Sequence, residues 1–218
     1  LGACGELAPR EQYTGDTSLA DAHGRELGFA VLATLQGMLP PGVRLDYAGV
    51  VESGATLAAW ERAPYRPSDM LAASIHEVEL PLKKWPTTAE IDARLAGCND
   101  RVLAERLLRQ RRVRQTVGDG SATSMPFWVW RIGDAVLLAT PNEAYSVLQV
   151  ELRKQFAENP LMVVNLANGP CVGYLPPEEL YHQNIYQVWQ TPFDRGSLER
   201  LIAFCVEAIQ NIIGNPMR

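Results

Sequence analysis

The residue types best suited to chemistry lie in two short stretches, each following an apolar run. Thr140-Pro141-Asn142-Glu143 comes directly after 135–139 and is predicted to open a helix over 142–156. Ligands of α/β sheets bind beyond the carboxyl ends of strands, so the Glu143 carboxylate can point into a crevice. The plainer reading is that it complements a helix dipole. The second stretch, Asn168-Gly169-Pro170-Cys171-Val172-Gly173-Tyr174-Leu175-Pro176-Pro177, follows the apolar run 161–166, and Tyr181 and Tyr186 lie close behind it. Its glycines and prolines fix an irregular backbone. A tyrosine held there packs its ring and hydrogen-bonds its hydroxyl. The same rigid, part-buried hydroxyl also suits a phenolate metal ligand or an oxyanion donor.

Other constellations are excluded. The chain has no G-x-S-x-G elbow, no P-loop and no H-E-x-x-H pair. Its histidines are His23, in a polar helix start, His76, on the polar side of a strand, and His182. A complete histidine-based metal site cannot be built from these three. Cys4, Cys98, Cys171 and Cys205 form no Cys-x-x-Cys pair, which excludes a zinc ribbon and a thioredoxin motif. Disulfides and free thiols both remain compatible with 218 residues, a length that buries enough apolar surface without cross-links. Twenty Lys and Arg against 25 Asp and Glu leave a net charge of −5, so no global cationic field attracts nucleic acid. Apolar residues make up 47% of the chain, which excludes disorder. No run approaches the roughly 20 apolar residues that span a bilayer.

The elements that must position these residues follow from periodicity. Residues 1–16 read as a loop, and a helix follows over 17–38, stopped by Pro40-Pro41-Gly42. Strands are predicted at 43–52 and 56–61, with a surface loop over 63–69. A third strand carries Ile75, Val78 and Leu80 against His76, Glu77 and Glu79, a pattern that needs a bulge to keep one apolar face. Thr87-Thr88-Ala89-Glu90 is a capping box opening a helix to about Gly97. The helix 101–117 carries Arg101, Arg106, Arg109, Arg111, Arg112 and Arg114, read as a solvated cationic face. A hairpin at 127–139, a strand at 161–166, a short turn at Pro177-Glu178-Glu179 and a final helix over 197–214 complete an α/β fold. The expectation is one domain of mixed sheet covered by helices.

In their order, these features carry a resemblance. A Pro-x-Glu helix start at 141–143, a helix, an apolar strand, Leu166-Ala167-Asn168, Tyr174, Pro176-Pro177-Glu178-Glu179 and then Tyr186 resemble the neutral/alkaline, non-lysosomal ceramidase family. Gly5-Glu6-Leu7-Ala8-Pro9-Arg10 is similar to that family's Gly-Asp-Val-Ser-Pro-Asn signature. Residues 40–125 match only loosely.

The resemblance implies a zinc amidohydrolase that splits the N-acyl bond of ceramide or a related N-acyl lipid. Its Zn2+ would be held by Glu143, by Tyr174 (after a loop one residue longer than the family's) and by two histidines lying before Leu1. Tyr186 would be the catalytic tyrosine that stabilises the tetrahedral oxyanion. The opening Leu1-Gly2-Ala3-Cys4-Gly5, without an initiator Met, likewise reads as the C-terminal part of a longer catalytic domain; a processed mature chain is the alternative. One departure stands out: Ala8 aligns with the signature serine and Glu6 with its aspartate, and a methyl group neither attacks nor hydrogen-bonds. Ala8 motivates a second reading, a catalytically silent relative that binds a lipid or a protein partner. A third is a structural α/β domain in which Glu143, Tyr174 and Tyr186 merely pack.

Overall fold

Helical and strand periods alternate along the chain much as the sequence predicts, and the computed structural model describes residues 2–52, 54–169 and 173–214. Two units emerge, Leu1–Leu7 together with Asp69–Arg218, and Ala8–Ser68.

The unit Ala8–Ser68 holds a helix and a hairpin. Helix α1 (Thr17–Gly37) starts where the Asp16 side chain accepts the Ser18 N–H, at 2.9 Å. It buries none of its residues. Strands β1 (Val43–Glu52) and β2 (Thr56–Pro64) pair antiparallel, with a register shift between Tyr47 and Gly49 and an edge-on Tyr47–Trp60 contact. Strand β2 runs three residues further than predicted, because Ala63 and Pro64 stay in register with Arg44 and Val43.

The other unit is built on a four-stranded mixed sheet in the order β3-β4-β5-β7: β3 (Leu71–Pro81), β4 (Ala122–Ile132), β5 (Ala135–Ala139) and β7 (Leu161–Val164). The first three are antiparallel neighbours, and β7 joins β5 in parallel. Val78, Leu80, Phe127, Val129, Val136, Leu138 and Val163 bury against α4 (Val147–Gln155) and α6 (Ser197–Gly214). Helix α6 contributes Leu198, Leu201, Cys205, Ala208, Ile209 and Ile212, a buried stripe at helical spacing. Fully burying each such aliphatic side chain is worth about 1.5–3 kcal/mol.

Strand β3 corrects one expectation. It pairs with β4 without a bulge, so strict alternation decides the faces. Ile75 therefore points outward, 71% exposed, and His76 lies on the side of Val78 and Leu80. His76 stacks on Phe127 with ring centroids 5.1 Å apart, and its Nε2 lies 2.8 Å from Ser74 Oγ. It is a satisfied core-edge histidine, not a residue of the polar face.

Helices α2 (Thr88–Ala96) and α3 (Arg101–Val117) form the predicted pair, with both halves of the Thr87–Glu90 capping box in place. The solvated cationic face needs correction at Arg114, which is only 3% exposed. Its guanidinium donates to the carbonyls of Trp85, Pro86, Gly118 and Gly120. Five fixed N–H donors make arginine able to satisfy several carbonyls at once. Two short parallel strands, β6 (Glu143–Ala144) and β8 (Tyr174–Leu175), form a separate ladder, and α5 (Tyr186–Gln190) follows a 3-10 turn at Glu178–Leu180. Among the described residues, no helix is long and apolar enough to cross a membrane.

Candidate functional site

The helix expected from Asn142 begins five residues later, at Val147, and Glu143 is a strand residue. Backbone pairing overrides the Pro-x-Glu helix start. The Glu143 N–H donates to the Gly173 carbonyl at 3.2 Å, and the Tyr145 N–H to the Leu175 carbonyl at 3.2 Å. The carbonyl between them, Ala144 O, accepts the Gly5 N–H and the Asn165 side-chain amide, both at 2.9 Å. With its N–H spent on a strand partner, Glu143 does not cap a helix.

This ladder places two of the predicted residues side by side: Glu143 and Tyr174 are register partners. Adjacent strands run about 4.8 Å apart, and register partners project to the same side of a sheet. Both residues are half-buried. The Tyr174 backbone is fixed independently, since its carbonyl accepts the Thr191 hydroxyl at 2.6 Å. The chain reaches Tyr174 through Gly173 at φ +114°, where a Cβ would also meet Pro192 Cδ at 3.0 Å. Pro170, Cys171 and Val172, part of the predicted loop, lie outside the described residues.

Tyr186 joins the pair through its ring, edge-on to Tyr174 with centroids 5.9 Å apart. On its other side it meets Trp189 edge-on at 5.0 Å. It is half exposed, so its ring is open to a ligand. Tyr181 lies elsewhere: its hydroxyl donates to the Phe193 carbonyl, and burial, followed by the charge of Asp194, pushes it well above the ordinary phenol range.

The N-terminal segment also reaches this ladder, a role that spacing did not disclose. The Glu6 carboxylate accepts the Ser146 N–H at 2.9 Å and the Ser146 hydroxyl. Burial, then the Glu6 charge, raises the neighbouring Tyr145 phenol. Gly5 passes so close that a Cβ would fall 2.4 Å from the Glu143 carbonyl oxygen, and its own carbonyl accepts the Gln187 amide. Only the similarity of Gly5-Glu6 to the ceramidase signature pointed here. Beside Glu143, Asn142 Nδ2 is a buried side-chain donor without a hydrogen-bond partner among the described residues. Buried side-chain donors without a partner are uncommon in native folds.

For a metal, the donors brought together are one carboxylate and one phenol. Among the described residues, no three His, Cys, Asp or Glu side chains cluster to hold an ion. His76 is engaged in β3, and His182 is exposed beyond the 3-10 turn. A carboxylate is among the usual zinc ligands, and a pair of oxygen donors equally suits harder divalent cations. Comparison of the sequence with protein-family models finds no match, and comparison with curated proteins finds none.

Proposed function

We propose that this chain carries half of the metal-binding site of a zinc-dependent amidohydrolase of neutral ceramidase type, acting on an N-acyl substrate. The observation that supports this reading most directly is the register pairing of Glu143 with Tyr174, with Tyr186 edge-on to Tyr174. Glu143 and Tyr174 would hold Zn2+, with the two histidines that the resemblance implies before Leu1. Bound zinc supplies Lewis acidity and lowers the pKa of water towards about 7.

The chain's own residues do the rest. Tyr186 donates its phenolic proton in a hydrogen bond to the oxyanion that develops on the acyl carbon, a contact worth about 3–4 kcal/mol in analogous sites. Glu6 and Gly5 hold the strand that bears Glu143, so they are positioning residues. In the overall reaction, water's oxygen bonds to the acyl carbon, the C–N bond breaks, and the released amine takes up a proton. Ala8 supplies no hydroxyl, so nucleophile activation does not fall to the residue aligned with the signature serine.

Metal analysis of the complete protein, paired with hydrolysis of an N-dodecanoyl amide, tests this reading. One zinc per chain is expected, lost in Glu143→Ala. Tyr186→Phe should keep the zinc and lower turnover by about 100-fold or more. Stoichiometric zinc in Glu143→Ala overturns the ligand assignment. Zinc retained without turnover on any N-acyl amide favours the silent relative that Ala8 suggests.

A further inference from the structure

Beside Tyr186 lies a groove of about 770 Å3, lined from α2, α3 and α5. Helical spacing along α3 puts Leu103, Arg106, Leu107, Gln110 and Val113 on it, a single face of the helix. Trp85, Tyr186 and Trp189 add aromatic surface. Both sides are fastened: Arg114 ties α3 to the carbonyls of Trp85 and Pro86, and the Lys83 ammonium donates to the Val188 carbonyl of α5. Leu103, Tyr186 and Trp189 are each about half exposed. Their aromatic edge leads from the groove to Tyr174.

The charge of this groove is one-sided. Arg94, Arg106 and Arg109 line it, and among the described residues no carboxylate does. Arg109 is ion-paired with Glu105 on its own helix. Arg94 and Arg106 make no ion pair among the described residues, and Glu90, whose charge Arg94 feels, is committed to the Thr87 cap. In a chain of net charge −5 this is a local reversal. A second cleft is of mixed charge instead, with Lys83 and Arg195 beside Glu178, Glu179, Asp194 and Glu199.

We infer that the groove binds an acyl chain bearing a carboxylate head, so that the substrate class is an N-acyl amino acid rather than a neutral N-acyl lipid. The inference rests on the amidohydrolase reading for the word substrate, while binding itself needs no metal. The aromatic and leucine surface takes the alkyl chain, at about 0.8 kcal/mol per buried CH2. The guanidinium forks of Arg94 and Arg106 match a carboxylate in geometry as well as charge. Hydrolysis would consume one water, break the amide C–N bond, and release a fatty acid and an amino acid.

Calorimetric titration of the complete protein in excess chelator tests this with N-dodecanoylglycine, dodecanoate and uncharged N-dodecanoylethanolamine, each below its micellar concentration. N-dodecanoylglycine is expected to bind about tenfold or more tighter than the ethanolamide. The doubly substituted Arg94→Gln/Arg106→Gln protein should lose that preference and keep ethanolamide affinity. Trp189→Ala should weaken all three probes. Equal binding of glycine conjugate and ethanolamide overturns the inference, as does a preference that survives in the double variant. Dodecanoate bound tenfold tighter than N-dodecanoylglycine also overturns it, because the groove would then select a free fatty acid. Arg94 and Arg106 are exposed, so a folding failure is not expected, and circular dichroism checks it. Zinc content is read separately, so loss of the metal assignment leaves the binding result interpretable.

Discussion

Glu143 and Tyr174 face one another across a parallel ladder only two residues long, although 31 positions separate them in sequence. The ladder is made by backbone groups, whose bonds survive a change of side chain. Glu143→Gln and Tyr174→Phe should therefore leave the far-ultraviolet spectrum of the folded chain nearly unchanged. Zinc affinity of the complete protein should fall in each by more than the ~10–100-fold that follows loss of an outer-shell partner. Unchanged affinity in both variants would remove this ladder from the metal site.

Glu6 clamps Ser146 by accepting two hydrogen bonds, from its N–H and its hydroxyl. Glu6→Ala leaves the Ser146 N–H without its partner, and the expected loss is about 1–3 kcal/mol in urea unfolding. Gly5→Ala should cost a similar amount for a different reason, since the added methyl has no room beside the Glu143 carbonyl. Either variant indistinguishable from the parent would show that the N-terminal segment is not held as described.

Arg114 is the costliest arginine to remove. Arg114→Ala strips the donors from four carbonyls, with an expected destabilisation of about 1–3 kcal/mol. Arg112→Ala, at an exposed position on the same helix, should change stability by less than about 0.5 kcal/mol. Parallel denaturation curves for the two variants give the comparison.

Alkaline pH should weaken the fold through two groups, Cys205 of α6 and Tyr181 after the 3-10 turn. Burial pushes the Cys205 thiol well above its ordinary value of 9.0, and burial does the same to Tyr181 from 10.0. Below pH 9 both groups are neutral in folded and unfolded chains, and their contribution is fully present. Above pH 9 the unfolded chain ionises first and is favoured, so stability falls as pH rises. Denaturant midpoints between pH 8 and 11 should decline less steeply in Cys205→Ala and in Tyr181→Phe. A thiol reagent that labels native Cys205 rapidly would contradict its burial.

Much of the scaffold was legible because its signals are local. The Thr87–Glu90 capping box, the start of α3 after Asp100 and the apolar stripe of α6 each announce themselves within a few residues. The face of β3 is not legible from periodicity, because Ile75 is an apolar residue on the outward side of a strand that pairs without a bulge. Glu143 was assigned to a helix because its strand pairing comes from Gly173 and Gly5, both distant in sequence. Arg114 looked like its five neighbours, and only the carbonyls of Trp85 and Pro86 distinguish it. Within the candidate site, residue type and position after apolar runs single out Glu143 and Tyr174, while the roles of both, and that of Tyr186, come only from the resemblance to the ceramidase family. Glu6, Asn142 and the arginine groove depend on tertiary proximity and carried no spacing signal.

The strand bearing Glu143 is wedged between a segment from the beginning of the chain and another from beyond residue 170. Contacts so distant along the polypeptide cost loop-closure entropy before they contribute any stability. The hairpin of β4 and β5, closed by two residues, bears almost none of that delay. In pulse-labelled hydrogen exchange during refolding, the Trp130 and Leu137 amides, a bonded pair of that hairpin, should thus gain protection early and the Gly5 amide last. Maturation of any activity would then track the arrival of the N-terminal segment rather than collapse of the sheet.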